Sequence, residues 1–203
     1  MIKNILWDFD GVILDSMKVR DWGFKEIFKI FDDDKVSLLL EYHRKNGGLS
    51  RYVKIRYFYE EILELSISEE EILIYANAFS LLMKKELVNP KNLIQDTLRF
   101  IKKNYRKYNF HVVSGSDHEE LCYLCKELAI DHYFLSINGS PTPKKQLVHE
   151  LLEKHNYDKK ETCLIGDSIN DYEAAISNSI GFEAFNNPKL RVQNTNQFKL
   201  KLL

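Results

Sequence analysis

What this chain of 203 residues has little of narrows its function before any motif is read. Cysteine is scarce: three residues, an odd number, cannot form a closed disulfide framework, which points to a reducing compartment. Two of them, Cys122 and Cys125, make a CxxC pair, but the surrounding HEELCYLCKELAI has helical periodicity and no second Cys or His pair offers further zinc ligands. Excess charge of either sign is also missing. With 29 Lys and Arg against 30 Asp and Glu, a net charge of −1 leaves no electrostatic footprint for nucleic acid or an anionic membrane. Long hydrophobic runs are absent, and the amino-terminal MIKNILWDFDGV meets acids within eight residues, so it reads as neither a signal peptide nor a membrane span. Internal repeats and low-complexity segments are lacking too. These absences predict a soluble, cytoplasmic protein whose partner is a small molecule, with the oligomeric state left open.

What is present is a recurring short apolar run with a polar end. KNILWD at 3–8, FHVVSGS at 110–116, HYFLSING at 132–139 and ETCLIGDS at 161–168 each have the pattern of a strand buried on both faces. Between and after them lie amphipathic stretches: NLIQDTLRFIKKNYRK, DHEELCYLCKELAI, PKKQLVHELLEKHN and INDYEAAISN. Strand alternating with helix predicts a Rossmann-like α/β fold, a parallel sheet covered by helices on both faces, with ligands beyond the carboxyl ends of the strands. The core is assigned to residues 1–14 and 90–203. Residues 15–89 show amphipathic helical stretches without a convincing strand, one of them opening on a Ser68 and Glu71 capping box, and read as a helical cap inserted after strand one. The final QFKLKLL suits an edge strand or a loose terminus.

Parallel neighbours would bring four polar clusters together: Asp8 with Asp10, Ser114 with Gly115 and Ser116, Lys144, and Asp167 with Asp171. Converging carboxylates repel unless a cation neutralises them, and a hard oxygen site for Mg²⁺ is the natural solution. Backbone amides at Gly11 and Gly115 could then hold an anion, with the lysine as opposing charge. In PTPKK, Lys144 is preferred to Lys145 because it directly follows Pro143 at a helix start.

Taken in order, DFDGV, VVSGS, a lysine at a helix start and GDSINDYEAA resemble the four motifs of the haloacid dehalogenase superfamily of phosphohydrolases. The resemblance implies a Mg²⁺-dependent phosphatase acting on a small phosphate ester, of the sugar phosphate or phosphoglycolate type, through an aspartyl-phosphate. It makes Asp8 the nucleophile and Asp10 the general acid and base. Asp8, the carbonyl of Asp10 and Asp167 would hold the metal, while Ser114 and Lys144 would bind phosphoryl oxygens. Asp171 would orient Lys144 or a metal-bound water, or simply favour the first turn of its helix.

Within the cap, KNGGLSRYVKIRYF at 45–58 resembles the cap loop of β-phosphoglucomutase and its relatives, and places Arg51 at a substrate phosphate. An ordinary loop and helix start is the other reading of the same residues. A phosphotransferase of the β-phosphoglucomutase kind is the alternative activity, and Arg20 counts against it because that branch carries a histidine there. A non-catalytic binding protein on this fold would have lost one of Asp8, Asp10, Lys144 or Asp167, and all four are present.

Overall fold

The first apolar run becomes the centre of the sheet. In the computed structural model, which describes residues 1–193, β1 (Asn4–Trp7) is buried along its whole length between β2 (Asn109–Asp117) and β4 (Thr162–Gly166). Outside β2 lies β3 (Ser136–Ser140), and outside β4 lies β5 (Gly181–Ala184), giving the order β3-β2-β1-β4-β5 with every pair parallel. The predicted α/β class holds. β5, absent from the sequence reading, is only four residues, GFEA, and borrows its strand conformation from β4 rather than from a hydrophobic run of its own.

Period-two alternation decides what each face buries. Ile5, Trp7, Phe110, Val112, Cys163 and Ile165 face one hydrophobic cluster, which includes Leu98 and Ile101 of α5 (Gln95–Asn104) and Leu121 and Leu124 of α6 (His118–Glu127). Leu6, Val113, Leu164 and Phe182 face the other, made with α7 (Lys144–His155) and α8 (Ile169–Ser177). At the amino-terminal edge of the sheet, Asn109 Nδ2 donates to Asn4 Oδ1 at 2.8 Å and Asn4 Nδ2 to Thr162 Oγ1 at 3.1 Å, so buried amides are satisfied across three strands.

Residues 15–89 contain helices and loops only. They form α1 (Met17–Ile27), α2 (Asp33–Lys45), α3 (Arg51–Tyr57) running into a π turn over Phe58–Ile62, and α4 (Glu69–Glu86). Ser68 and Glu71 make the expected capping box, with Glu71 N donating to Ser68 Oγ and Ser68 N to Glu71 Oε2. The chain leaves and re-enters the core side by side: Ile94 N donates to Ile13 O at 2.9 Å and Asp15 N to Asn92 O at 2.7 Å. Two adjacent connections of this kind are suited to a hinge. Among the described residues no helix is long and apolar enough to cross a membrane. QFKLKLL lies outside the described residues.

Candidate active site

Each predicted polar cluster lies at a carboxyl end of the sheet, because each strand hands over to a loop and then to a helix amino terminus on that side. Asp8 directly follows β1, and its Oδ1 accepts a hydrogen bond from Lys144 Nζ at 2.6 Å. The same ammonium donates to Asp171 Oδ1. Lys144 opens α7 and is buried, whereas Lys145 is exposed, so the structure brings Lys144 to Asp8. Asp171 Oδ2 is occupied by its own helix: it accepts from Ser168 N at 2.9 Å, Ser168 Oγ at 2.7 Å and Asp167 N at 3.2 Å. One carboxylate thus caps α8 and anchors the lysine.

Asp8, Asp167 and Asp171 present carboxylate oxygens that all lie within 4.8 Å of one another. Burial, reinforced by the charge on Asp171, drives Asp8 well above the usual carboxylate range despite Lys144. The same causes push Asp167 up to about 7. Two carboxyls raised for want of positive charge, in a set of hard oxygen donors, fit a divalent cation. Asp171 is committed to Lys144 and to its helix cap, which leaves Asp8 and Asp167 to face an ion. Gly11 has φ +77°, and a Cβ there would lie 2.0 Å from Asp167 Oδ2, so only glycine lets the turn after Asp10 pass this carboxyl.

Asp10 lives in different surroundings. Its Oδ1 accepts from Arg20 Nε at 2.6 Å and from Ser16 Oγ, and its Oδ2 from Ser116 Oγ at 2.5 Å. Burial pushes this carboxyl up, but Arg20 and the hydroxyls of Ser116 and Ser16 outweigh it and hold the group below its ordinary value. Its side chain is not one of the three carboxylates that converge. Ser114 is buried on β2, and its Oγ accepts from Ser116 N at 3.1 Å.

The helical insertion closes directly over these groups. A Cβ on Gly115 would sit 2.3 Å from Gly48 O, and one on Gly48 would meet Asn170 Cβ at 2.8 Å and Ser168 Oγ at 2.9 Å. Across the same seam Tyr52 OH donates to Asp117 Oδ2 at 2.6 Å. Arg20 Nη1 and Arg51 Nη2, both from the insertion, reach the two oxygens of Glu120 on α6 at 3.1 and 2.6 Å. Arg51 also donates to Ser80 Oγ at 2.5 Å and lies 4.7 Å from the centre of the Phe79 ring. It reaches the cavity above Asp10, as expected of a cap residue, but its guanidinium is already paired. That cavity, about 20 Å³, is lined by Asp10, Arg20, His43, Arg51, Lys54 and Ser116 among others. A larger groove of about 550 Å³ runs between Gly48–Val53 and Pro141–Lys145 and borders Lys144.

Ser116 falls in the polar cluster expected at the end of the second run, but its bond to Asp10 was not legible. Glu120 and Lys54 were not legible as site residues: Glu120 reads as a helix-surface acid, and the one available signal for Lys54 is its i+3 spacing from Arg51 on α3. None of the three cysteines is in a disulfide; Cys125 and Cys163 are buried and Cys122 partly so.

The sheet order and the lysine and carboxylates gathered beyond its carboxyl ends define a Rossmann-like α/β protein with one polar site under a helical lid. Residues 5–184 match the family of haloacid dehalogenase-like hydrolases, and the chain belongs to that family. Among curated proteins, none matches the sequence. Among solved structures, a haloacid dehalogenase-like hydrolase from Streptococcus pneumoniae is similar at TM-score 0.70 and 19% identity, over 97% of this chain and 92% of that one. CbbY from Rhodobacter sphaeroides, as a mutant in complex with xylulose-(1,5)-bisphosphate, is similar at 0.74 and 15%, over 93% and 89%. A predicted phosphoglycolate phosphatase from Haemophilus somnus is similar at 0.68 and 17%, over 95% and 92%.

Proposed function

We propose that the protein is a magnesium-dependent phosphatase of a small phosphorylated metabolite, of the sugar phosphate or phosphoglycolate type, working in the cytoplasm. The observation that carries this reading is the buried chain Asp8–Lys144–Asp171 with Asp167 beside it: a nucleophile, a fixed ammonium and a spare carboxyl facing one point. Similar folds that hold a sugar bisphosphate or bear a phosphatase name agree with it. Cysteines outside any disulfide agree with a reducing compartment.

In this reading an Asp8 oxygen attacks phosphorus, the ester P–O bond breaks, and its electron pair leaves on the substrate oxygen, which takes a proton from Asp10. Water then attacks the aspartyl-phosphate, gives its proton to Asp10, and releases Asp8 and inorganic phosphate. Lys144 and Ser114 hold phosphoryl oxygens, with main-chain groups at Gly11 and Gly115. Asp8, Asp167 and the Asp10 carbonyl would hold Mg²⁺, which would supply the positive charge that lets one anion approach another. Arg20 opposes protonation of Asp10 while it rests on Oδ1, so Asp10 takes up its proton while the insertion is lifted to admit substrate and gives it to the leaving oxygen once the insertion has reseated. The small cavity demands that motion, since about 20 Å³ holds roughly one water. Residues 15–89 are the moving cap, and Arg51 exchanges Glu120 for a substrate group. Arg20 on Asp10, where the mutase reading needs a histidine, favours hydrolysis over phosphoryl return to a bound sugar.

The test is Mg²⁺-dependent phosphate release from p-nitrophenyl phosphate. Asp8→Asn is expected to keep the fold and lose activity by about 10³-fold or more. Turnover that survives this change, or that ignores chelation of the metal, overturns the mechanism. Wild type that hydrolyses no ester supports the binding-protein reading.

A further inference from the structure

Charges around the small cavity do not cancel. Three cations reach it from the insertion, Arg20, Arg51 and Lys54, and the anions that answer them are Asp10 and Glu120. The two arginines take both. Lys54 is left with no carboxylate within ion-pair distance among the described residues, although it is only 3% exposed. Its Nζ lies 2.9 Å from His43 Nδ1 and 3.4 Å from Gly47 O. Neither carries a negative charge, and burial, followed by Lys54 itself, drives the imidazole down to about 2 and keeps it neutral.

A buried ammonium without a counter-ion is costly, and a fold has no structural reason to keep it where a methionine would pack. The cost shows in the amine itself: burial, and then Arg20, lower Lys54 to about 7. Arg20 Nη2 is also buried without a hydrogen-bond partner, while His43 Nε2 faces Asp21 Oδ1 at 3.8 Å. An unpaired donor of Arg20 and an unpaired cation thus line the cavity with Asp10, the residue that this reading places at the leaving oxygen.

Resting on the phosphatase reading and deepening it, we infer that Lys54 is a specificity-determining residue that receives a second anionic group, a carboxylate or a phosphate, carried by the leaving group of the substrate. The substrate is then a phosphate ester with two negatively charged ends. Asp8 and Lys144 take the end that is cleaved, and Lys54, assisted by the unpaired Nη2 of Arg20, takes the end that is not. Lys54 offers a charge with no carboxylate to give up, whereas Arg51 must first leave Glu120 and Ser80 to join it.

The experiment compares matched esters with and without the second charge, using the full chain with Mg²⁺. Glycerol 1-phosphate against 3-phosphoglycerate tests a carboxylate, and fructose 1-phosphate against fructose 1,6-bisphosphate tests a phosphate. Wild type should prefer the doubly anionic member of at least one pair by about tenfold or more in kcat/KM, and the pair that responds identifies the anion. In Lys54→Met that preference should fall at least about tenfold, carried by KM, while Tm holds or rises because an unpaired buried charge is gone. Wild type that hydrolyses p-nitrophenyl phosphate through Asp8 but treats both members of each pair alike overturns the inference and leaves the phosphatase standing. A Lys54→Met variant that slows both members equally and lowers Tm also overturns it, since Lys54 would then be structural. Wild type that hydrolyses no ester overturns both readings.

Discussion

His111 shows how one side chain ties stability to pH. It stands in β2 where its neighbours are Val112 and Val113, fully buried, with Nδ1 2.7 Å from Ser136 Oγ and Nε2 3.0 Å from Tyr157 OH. Burial, with His155 and Lys154 nearby, pushes it down to about 4. An unfolded chain takes up this proton near pH 6.5, the folded one not until about 4, so between those values the unfolded state binds more protons. Stability is therefore full above about pH 6.5 and falls as pH drops toward 4, by up to about 1.4 kcal/mol per unit from this group. Urea unfolding at pH 7, 5.5 and 4.5 should show a shallower acid slope for His111→Asn than for wild type. Equal slopes would assign the acid sensitivity to the paired carboxylates.

At the scale of elements, the meeting of the Gly47–Ser50 loop with the end of β2 governs access to the site. Gly115 has no room for a side chain because Gly48 O would lie 2.3 Å from its Cβ, and backbone does not yield as a flexible side chain does. Gly115→Val should keep the loop from seating, so kcat/KM for any ester falls by about tenfold or more while the sheet, packed elsewhere, keeps Tm within a few degrees. A large Tm loss with unchanged turnover would make the contact structural only. Helix starts were the elements easiest to read. Ser68 with Glu71 and Ser168 with Asp171 are both capping boxes, a local signal that needs no distant partner.

Across the whole molecule, Glu120 is the tie between insertion and core. It is completely buried on α6, accepts from Arg20 and forms an ion pair with Arg51, which come from two different helices of the insertion. Removing its charge leaves Arg51 without a carboxylate and Arg20 with Asp10 alone in a dry interface. Glu120→Gln should lower stability by about 3 kcal/mol, which in a chain of this size is a Tm loss of about 6–12 °C by thermal unfolding. A smaller effect would mean that the seam opens readily and admits water to the arginines.

Sequence alone determined the sheet and the residues along its carboxyl edge. Asp8, Asp10, Ser114 and Asp167 each follow or end a buried apolar run, and a parallel sheet puts all such ends on one side whatever the loops do. Even the choice of Lys144 over Lys145 rested on a local fact, a proline directly before the helix. What tertiary structure decided is everything that meets across the seam. Arg20 lies 100 positions from Glu120, and Tyr52 lies 65 from Asp117. No periodicity links such pairs, and β5 becomes a strand only because β4 offers it an edge. Lys54 is the clearest case: in sequence it is one more cation on a basic helix, and only the fold removes its water and withholds its counter-ion.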